Sequence, residues 1–102
     1  VYALVLKGYS AAFSDYGFCY NCGIGVKKSM RWALYWYRKA ADYDDEEAQN
    51  ILGLCYEEGI GVLKDYEKAY YWFSLAVKNG AGACAEHNLA RCFQAWQRNL
   101  GR

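Results

Sequence analysis

Five cysteines and one histidine are the residues of this chain that could do chemistry, and their spacing decides how much. Cys19-x2-Cys22 is one half of a zinc knuckle. A tetrahedral site needs four ligands, and without a second Cys pair, and with His87 as the sole imidazole, the set cannot be completed. No metal and no cofactor is therefore expected. Cys84 and Cys92 fall on one predicted helix eight residues apart, about 12 Å of rise, which is beyond disulfide reach. His87 has Glu86 beside it and Ser74 or Cys84 elsewhere. No nucleophile, base and orienting group stand at a spacing that helical geometry would bring together. Gly23-Ile24-Gly25 lacks the preceding strand and the later glycine of a dinucleotide-binding fingerprint, and it returns as Gly59-Ile60-Gly61. Recurrence marks it as a structural turn. The chain reads as a protein without catalysis of its own.

The composition bounds what remains. A chain of 102 residues with 55% hydrophobic residues, 11 Tyr and 4 Trp can bury a core and is far from a disordered composition. Twelve basic against eleven acidic residues leave no excess to neutralise a phosphate backbone, so nucleic acid is a poor partner. No apolar run approaches the ~20 residues of a membrane span, and no signal segment opens the chain. The absence of an initiating Met and the start in mid-pattern suggest an excerpt of something longer. The odd cysteine count and the lack of any Asn-x-Ser/Thr sequon lean toward a reducing, cytoplasmic setting, with a secreted or lumenal one as the alternative.

What must position these residues is a repeat. Shifted by 36, Ala12, Gly17, Cys19, Tyr20, Gly23, Ile24, Gly25, Val26, Lys28, Ala33, Tyr35, Trp36 and Ala40 recur. They return as Ala48, Gly53, Cys55, Tyr56, Gly59, Ile60, Gly61, Val62, Lys64, Ala69, Tyr71, Trp72 and Ala76. A partial third copy follows at a shift of 37, carrying Ala85, Leu89, Cys92 and Phe93 where the second has Ala48, Leu52, Cys55 and Tyr56. Cys19, Cys55 and Cys92 thus share one position, as a small apolar thiol in a periodic core would.

Each copy reads helix, turn, helix. Ala48, Ile51, Leu52, Cys55 and Tyr56 fall at the three-and-four spacing of an amphipathic helix, with an acidic run at its positive end. The glycines of 59–62 stop it, and Asp65, like Ser29 earlier, is placed to cap a second helix. The expected elements are a remnant helix at 2–7 ended by Gly8, first helices near 10–22, 46–58 and 83–98, and second helices near 29–42 and 65–79. Such pairs bury both apolar faces only by stacking, which makes the fold class an all-α solenoid. Gly17 and Gly53, in mid-helix, cost roughly 1 kcal/mol each against Ala and so point to close helix approach. Their neighbours Tyr20 and Tyr56, with Trp36 and Trp72, are expected to fill the space between helices within and between repeats.

The frame Ala48-x3-Leu52-Gly53-x-Cys55-Tyr56-x2-Gly59-Ile60-Gly61-Val62-x2-Asp65-x2-Lys68-Ala69-x2-Trp72-Phe73-x2-Ala76 resembles the Sel-1-like repeats, relatives of the tetratricopeptide repeats. The resemblance implies an α/α superhelix serving as an adaptor or scaffold for protein complexes. It implies a single repeat region over 1–102: the end of a preceding repeat at 1–8, repeats at 9–44 and 45–80, and a partial or capping repeat at 81–102. Tyr16 replaces the usual Leu and Ser29 the usual Asp. The third copy lacks the glycine turn, so its helix is expected to extend or to cap the stack. Cysteine-rich secreted relatives with hydrolase activity need a Cys pair joining successive repeats. Here Cys84 faces a region holding Ala76 and Val77, and the pair is incomplete.

In such a solenoid the first helices line the concave side. By register its free positions are Ser14, Phe18 and Asn21, then Asn50, Leu54 and Glu57, then His87, Arg91 and Gln94. Polar side chains around apolar Phe18 and Leu54 suit a groove that grips a peptide or helix of a partner protein. The basic cluster Lys27, Lys28, Arg31, Arg38 and Lys39 and the acidic run from Asp42 to Glu47 read as solvated faces, or as charge that steers such a partner. The alternative is a structural segment that self-associates through open repeat ends, where Trp96 and Leu100 stand.

Overall fold

The short turns, caps and glycines above resolve into five helices in a computed structural model, which describes the backbone from Tyr2 to Leu100 and side chains from Ser10 onward. They are α1 (Tyr2–Cys22), α2 (Met30–Asp42), α3 (Glu46–Glu58), α4 (Tyr66–Lys78) and α5 (Ala83–Leu100), with no strand among the described residues. Ser29 accepts a hydrogen bond from the Trp32 amide to start α2, and Asp45 and Asp65 do the same for α3 and α4. The glycine turns repeat bond for bond. The Ile24 amide donates to the Cys19 carbonyl and the Ser29 amide to that of Tyr20, each at 2.9 Å. Ile60 to Cys55 and Asp65 to Tyr56 have the same lengths. Gly59 closes α3 in the left-handed conformation, at φ 71°, while Gly61 at φ 74° lies against Leu34 of the preceding repeat. The second turn therefore reverses the chain and touches the first repeat at once.

One expectation is corrected. No break falls at Gly8, because α1 runs unbroken from Tyr2 to Cys22. The equivalent break between α2 and α3 works through Asp44 at φ 65° and the capping carboxylate of Asp45. At the position equivalent to Asp45 the sequence has Tyr9, a residue type without the short oxygen that caps a helix. Gly8 permits a reversal but nothing there starts a new helix. At the other end α5 extends to Leu100, as the missing glycine turn implied.

The helices stack as antiparallel pairs into a slab of 43 × 34 × 18 Å. With helices about 10 Å across, the short axis holds two layers. Ala33, Ala40 and Ala41 of α2 and Ala48 of α3 are buried with Leu34, Tyr37, Leu52 and Cys55, and Trp72 of α4 closes the cluster. A second cluster joins Ala69 and Phe73 of α4 to Cys92 of α5, with Tyr56 bridging the two. Small residues let the backbones approach. The aromatic rings then fill the remaining space.

The glycines in mid-helix show this directly. A Cβ on Gly53 would lie 2.5 Å from two ring carbons of Phe73, and one on Gly17 would lie 2.8 Å from the ring of Tyr37. Close approach is confirmed, and the rings seated on the two glycines are Tyr37 and Phe73, while among the four expected between the helices Trp72 is buried in the first cluster and Tyr20 and Tyr56 pack against it. Trp72 packs between repeats with Arg38 over its face at 5.2 Å, while Trp36 stacks on Phe13 and meets Tyr16 at a tilt.

Burial pushes the Cys55 and Cys92 thiols from their usual value near 9 to about 11. The folded chain then holds these protons more tightly than the unfolded one. Their contribution to stability is complete below about pH 9 and is lost as pH rises toward 11. A urea midpoint that falls over that window, and falls less in a Cys55→Ala/Cys92→Ala variant, is the expected result.

Candidate functional site

The nine positions expected along the concave face come from α1, α3 and α5, and the structure treats them unequally. Phe18, His87, Arg91 and Gln94 are exposed, Ser14, Asn21, Asn50 and Leu54 are half-buried, and Glu57 is buried. Glu57 is the departure: its carboxylate is not free for a partner. The Arg91 guanidinium grips it with two nitrogens, Nε to Oε2 at 3.3 Å and Nη2 to Oε1. The hydrogen bond to Glu57 also raises the Arg91 pKa above its usual value, so the cation is held.

A lattice grows from that pair. Arg91 Nη1 donates to Asn88 Oδ1 at 3.1 Å, and Asn88 Nδ2 donates to Asn50 Oδ1 at 3.1 Å. Four side chains from α3 and α5 thus fix one another along the first-helix face, which also carries the exposed His87 and Gln94. Leu54 lies in the same stretch and packs against the Ala69, Phe73 and Cys92 cluster. Asn21 serves the first repeat differently, its side chain acting on the Tyr37 phenol. Burial raises the Tyr37 pKa and the Asn21 side chain opposes the rise. The second repeat has Phe73 and Glu57 at the equivalent positions. Phe73 has no hydroxyl, and Glu57 pairs with Arg91.

Two residues of this region escaped the sequence reading. Asn88 lies one place beyond the repeat position held by His87. Gln49 is fully buried at 0% exposure, donates through Nε2 to the Ala41 carbonyl at 3.1 Å and accepts from Asn79 Nδ2 at 3.0 Å. It thereby ties the ends of α2 and α4 to the start of α3. At the equivalent place the first repeat uses a ring contact, Phe13 to Tyr43 at 5.6 Å.

Glu46, Glu47, Asn50, Gly80 and Ala81 line a depression of about 280 Å³ at one end of the groove. A larger one of about 400 Å³ lies away from it, between the start of α4 and the end of α5, lined by Lys64, Asp65, Tyr66, Glu67, Trp96 and Asn99. Among the described residues no three His, Cys, Asp or Glu side chains converge on a point that could hold a metal ion, and all five thiols are free. No described helix is long and apolar enough to cross a membrane.

Stacked helix pairs repeating at a fixed interval, with a polar face along the first helices, define an α-solenoid repeat protein. The Sel1 repeat profile matches residues 11–44 and 46–80. The chain belongs to the Sel1 repeat family, a helical repeat typically used in protein-protein interaction. It is similar to a Sel1 repeat protein from Oxalobacter formigenes, with TM-score 0.76 and 34% identity over 81% of this chain and 34% of that one. It is also similar to a protective antigen of uropathogenic Escherichia coli strains that displays an SLR fold, with TM-score 0.67 and 39% identity over 72% of this chain and 16% of that one. The chain therefore spans about a third or less of either solved protein. No curated protein matches it.

Proposed function

We propose that this repeat region is a binding module that holds a peptide or helix of a partner protein along the face of α1, α3 and α5. The observation that carries the reading is the lattice of Asn50, Asn88, Arg91 and Glu57. Side chains already fixed by one another lose little further freedom when a partner docks, and the ordering cost of polar recognition falls accordingly. Phe18, at 53% exposure, and the half-buried Leu54 supply apolar anchors beside Ser14, His87 and Gln94. The module acts as a scaffold without catalysis. Selection from a displayed peptide library against the immobilised chain tests this. Enriched peptides should lose at least tenfold in affinity to a Phe18→Ala/His87→Ala/Gln94→Ala chain and keep their affinity for Trp32→Ala, which lies on a second helix. Peptides that depend on Trp32 and ignore the triple variant would overturn the groove.

A second reading rests on a separate observation. Trp32 and Tyr35 are exposed at one end of the stack, and Phe93 and Leu100 are exposed on α5 at the other. Such faces suit self-association through repeat ends. Sedimentation that stays monomeric across concentration would exclude it.

A further inference from the structure

The end of α1 carries two thiols that neither packing nor the groove uses as a pair. Cys22 is exposed, Cys19 is half-buried, and both are free. One helical turn apart, their Cα atoms lie about 5 Å from each other by helix geometry, inside the range a disulfide spans. Cys22 is the last residue of α1, and the chain beyond it leaves the regular helix. The Gly23 and Ile24 amides both donate to the Cys19 carbonyl, at 2.7 and 2.9 Å, and Gly23 has φ 73°. The terminal turn is thus free of the following helical residues that would resist a small rotation of Cys22. The period accounts for Cys19, whose equivalents Cys55 and Cys92 are core thiols, but not for Cys22, whose equivalents are Glu58 and Ala95.

We propose that Cys19 and Cys22 form a redox-active dithiol, a modification site that low-molecular-weight disulfides such as glutathione disulfide convert to an intrahelical disulfide. The exposed Cys22 thiolate attacks one sulfur of glutathione disulfide, forming a mixed disulfide and releasing one glutathione thiolate. Cys19, deprotonated in turn, attacks the Cys22 sulfur, closes the internal bond and releases the second glutathione. Two protein thiols are oxidised by two electrons, and one glutathione disulfide is reduced to two glutathiones. Selectivity follows from the other three positions. Cys55 and Cys92 are buried with raised pKa values and so supply little thiolate, while Cys84 is exposed without a thiol in reach on its own helix. The disulfide would clamp the turn holding Asn21, whose side chain acts on the Tyr37 phenol.

Treating the folded, reduced 102-residue chain with glutathione disulfide, followed by acid quench, alkylation and peptide mapping, tests the assignment. The expected product is one internal Cys19–Cys22 disulfide with the other three thiols recovered as alkylated cysteines. Cys22→Ser should abolish it, with helicity unchanged by circular dichroism, and Cys84→Ser should not affect it. A wild-type product that stops at a glutathione adduct on Cys22, or an internal disulfide that survives in Cys22→Ser, would overturn the proposal.

Discussion

Gly53→Ala is expected to destabilise the chain by about 2 kcal/mol, lowering its thermal midpoint by roughly 10 °C. The sign is what makes the result informative. On an open helix surface the same change stabilises by up to ~1 kcal/mol, since alanine is the better helix former. Here the new methyl would meet the Phe73 ring at 2.5 Å, and Phe73 is fully buried and cannot swing away. Gly17→Ala should cost less, because its Cβ would stand 2.8 Å from Tyr37. Adding Phe73→Leu to Gly53→Ala should recover part of the loss that the alanine alone causes, since the branched side chain vacates the ring's edge. A midpoint that rises for Gly53→Ala would mean that the ring does not sit there.

Gln49→Leu is expected to cost about 1–2 kcal/mol despite the near-equal volume, by leaving the Ala41 carbonyl with the Asp44 amide as its one remaining donor and removing the acceptor of Asn79. A leucine buries well, so a purely hydrophobic account of this position predicts little change. The first repeat suggests the repair. Phe13 and Tyr43 occupy the places of Gln49 and Asn79, and their rings meet at 5.6 Å. The double replacement Gln49→Phe/Asn79→Tyr should therefore be better than the sum of its parts, with a coupling of about 1 kcal/mol in a double-mutant cycle. Additive losses would show that the amide pair is not the link between these helix ends.

These two positions also mark what the amino-acid order revealed and what it withheld. Gly53 announces itself, because a glycine in mid-helix that returns at a shift of 36 demands a close neighbour. Which ring fills the gap depends on how the two helices cross, and spacing along one chain does not encode that angle. Tyr20, Tyr56, Trp36 and Trp72 were equally available to a reading of period alone, and Tyr37 and Phe73 took the place. Gln49 was invisible for the opposite reason. It aligns with Phe13 at one shift and with Glu86 at the other, so it carries no periodic signal, and its partners lie 8 and 30 residues away.

The groove was legible as a row of positions and not as a set of contacts. Register along the first helices named Asn50, Glu57 and Arg91; Arg91 meets Glu57 directly, and Asn50 joins them through Asn88, which register did not name. It could not show that Glu57 turns inward. A carboxylate at a variable position looks solvated until its partner is seen, and Arg91 reaches it only because α5 packs beside α3. Gly8 taught a similar lesson at the start of the chain. A residue that allows a left-handed turn does not produce one unless the following residue can cap the next helix, as Asp45 does for α3 and the Tyr9 side chain is not built to do.

The central claim is that helix pairs stack at one period, each second helix seating an aromatic ring on a glycine of its own first helix, and so hold the first helices side by side as a binding face. A nuclear Overhauser spectrum of the folded chain tests it most directly. Strong cross-peaks from the Gly53 Hα protons to the Phe73 ring and from the Gly17 Hα protons to the Tyr37 ring are predicted, with both pairs of Hα resonances shifted by ring current. Their absence, or cross-peaks from these glycines to Trp36 and Trp72 instead, would contradict the stacking on which the groove depends.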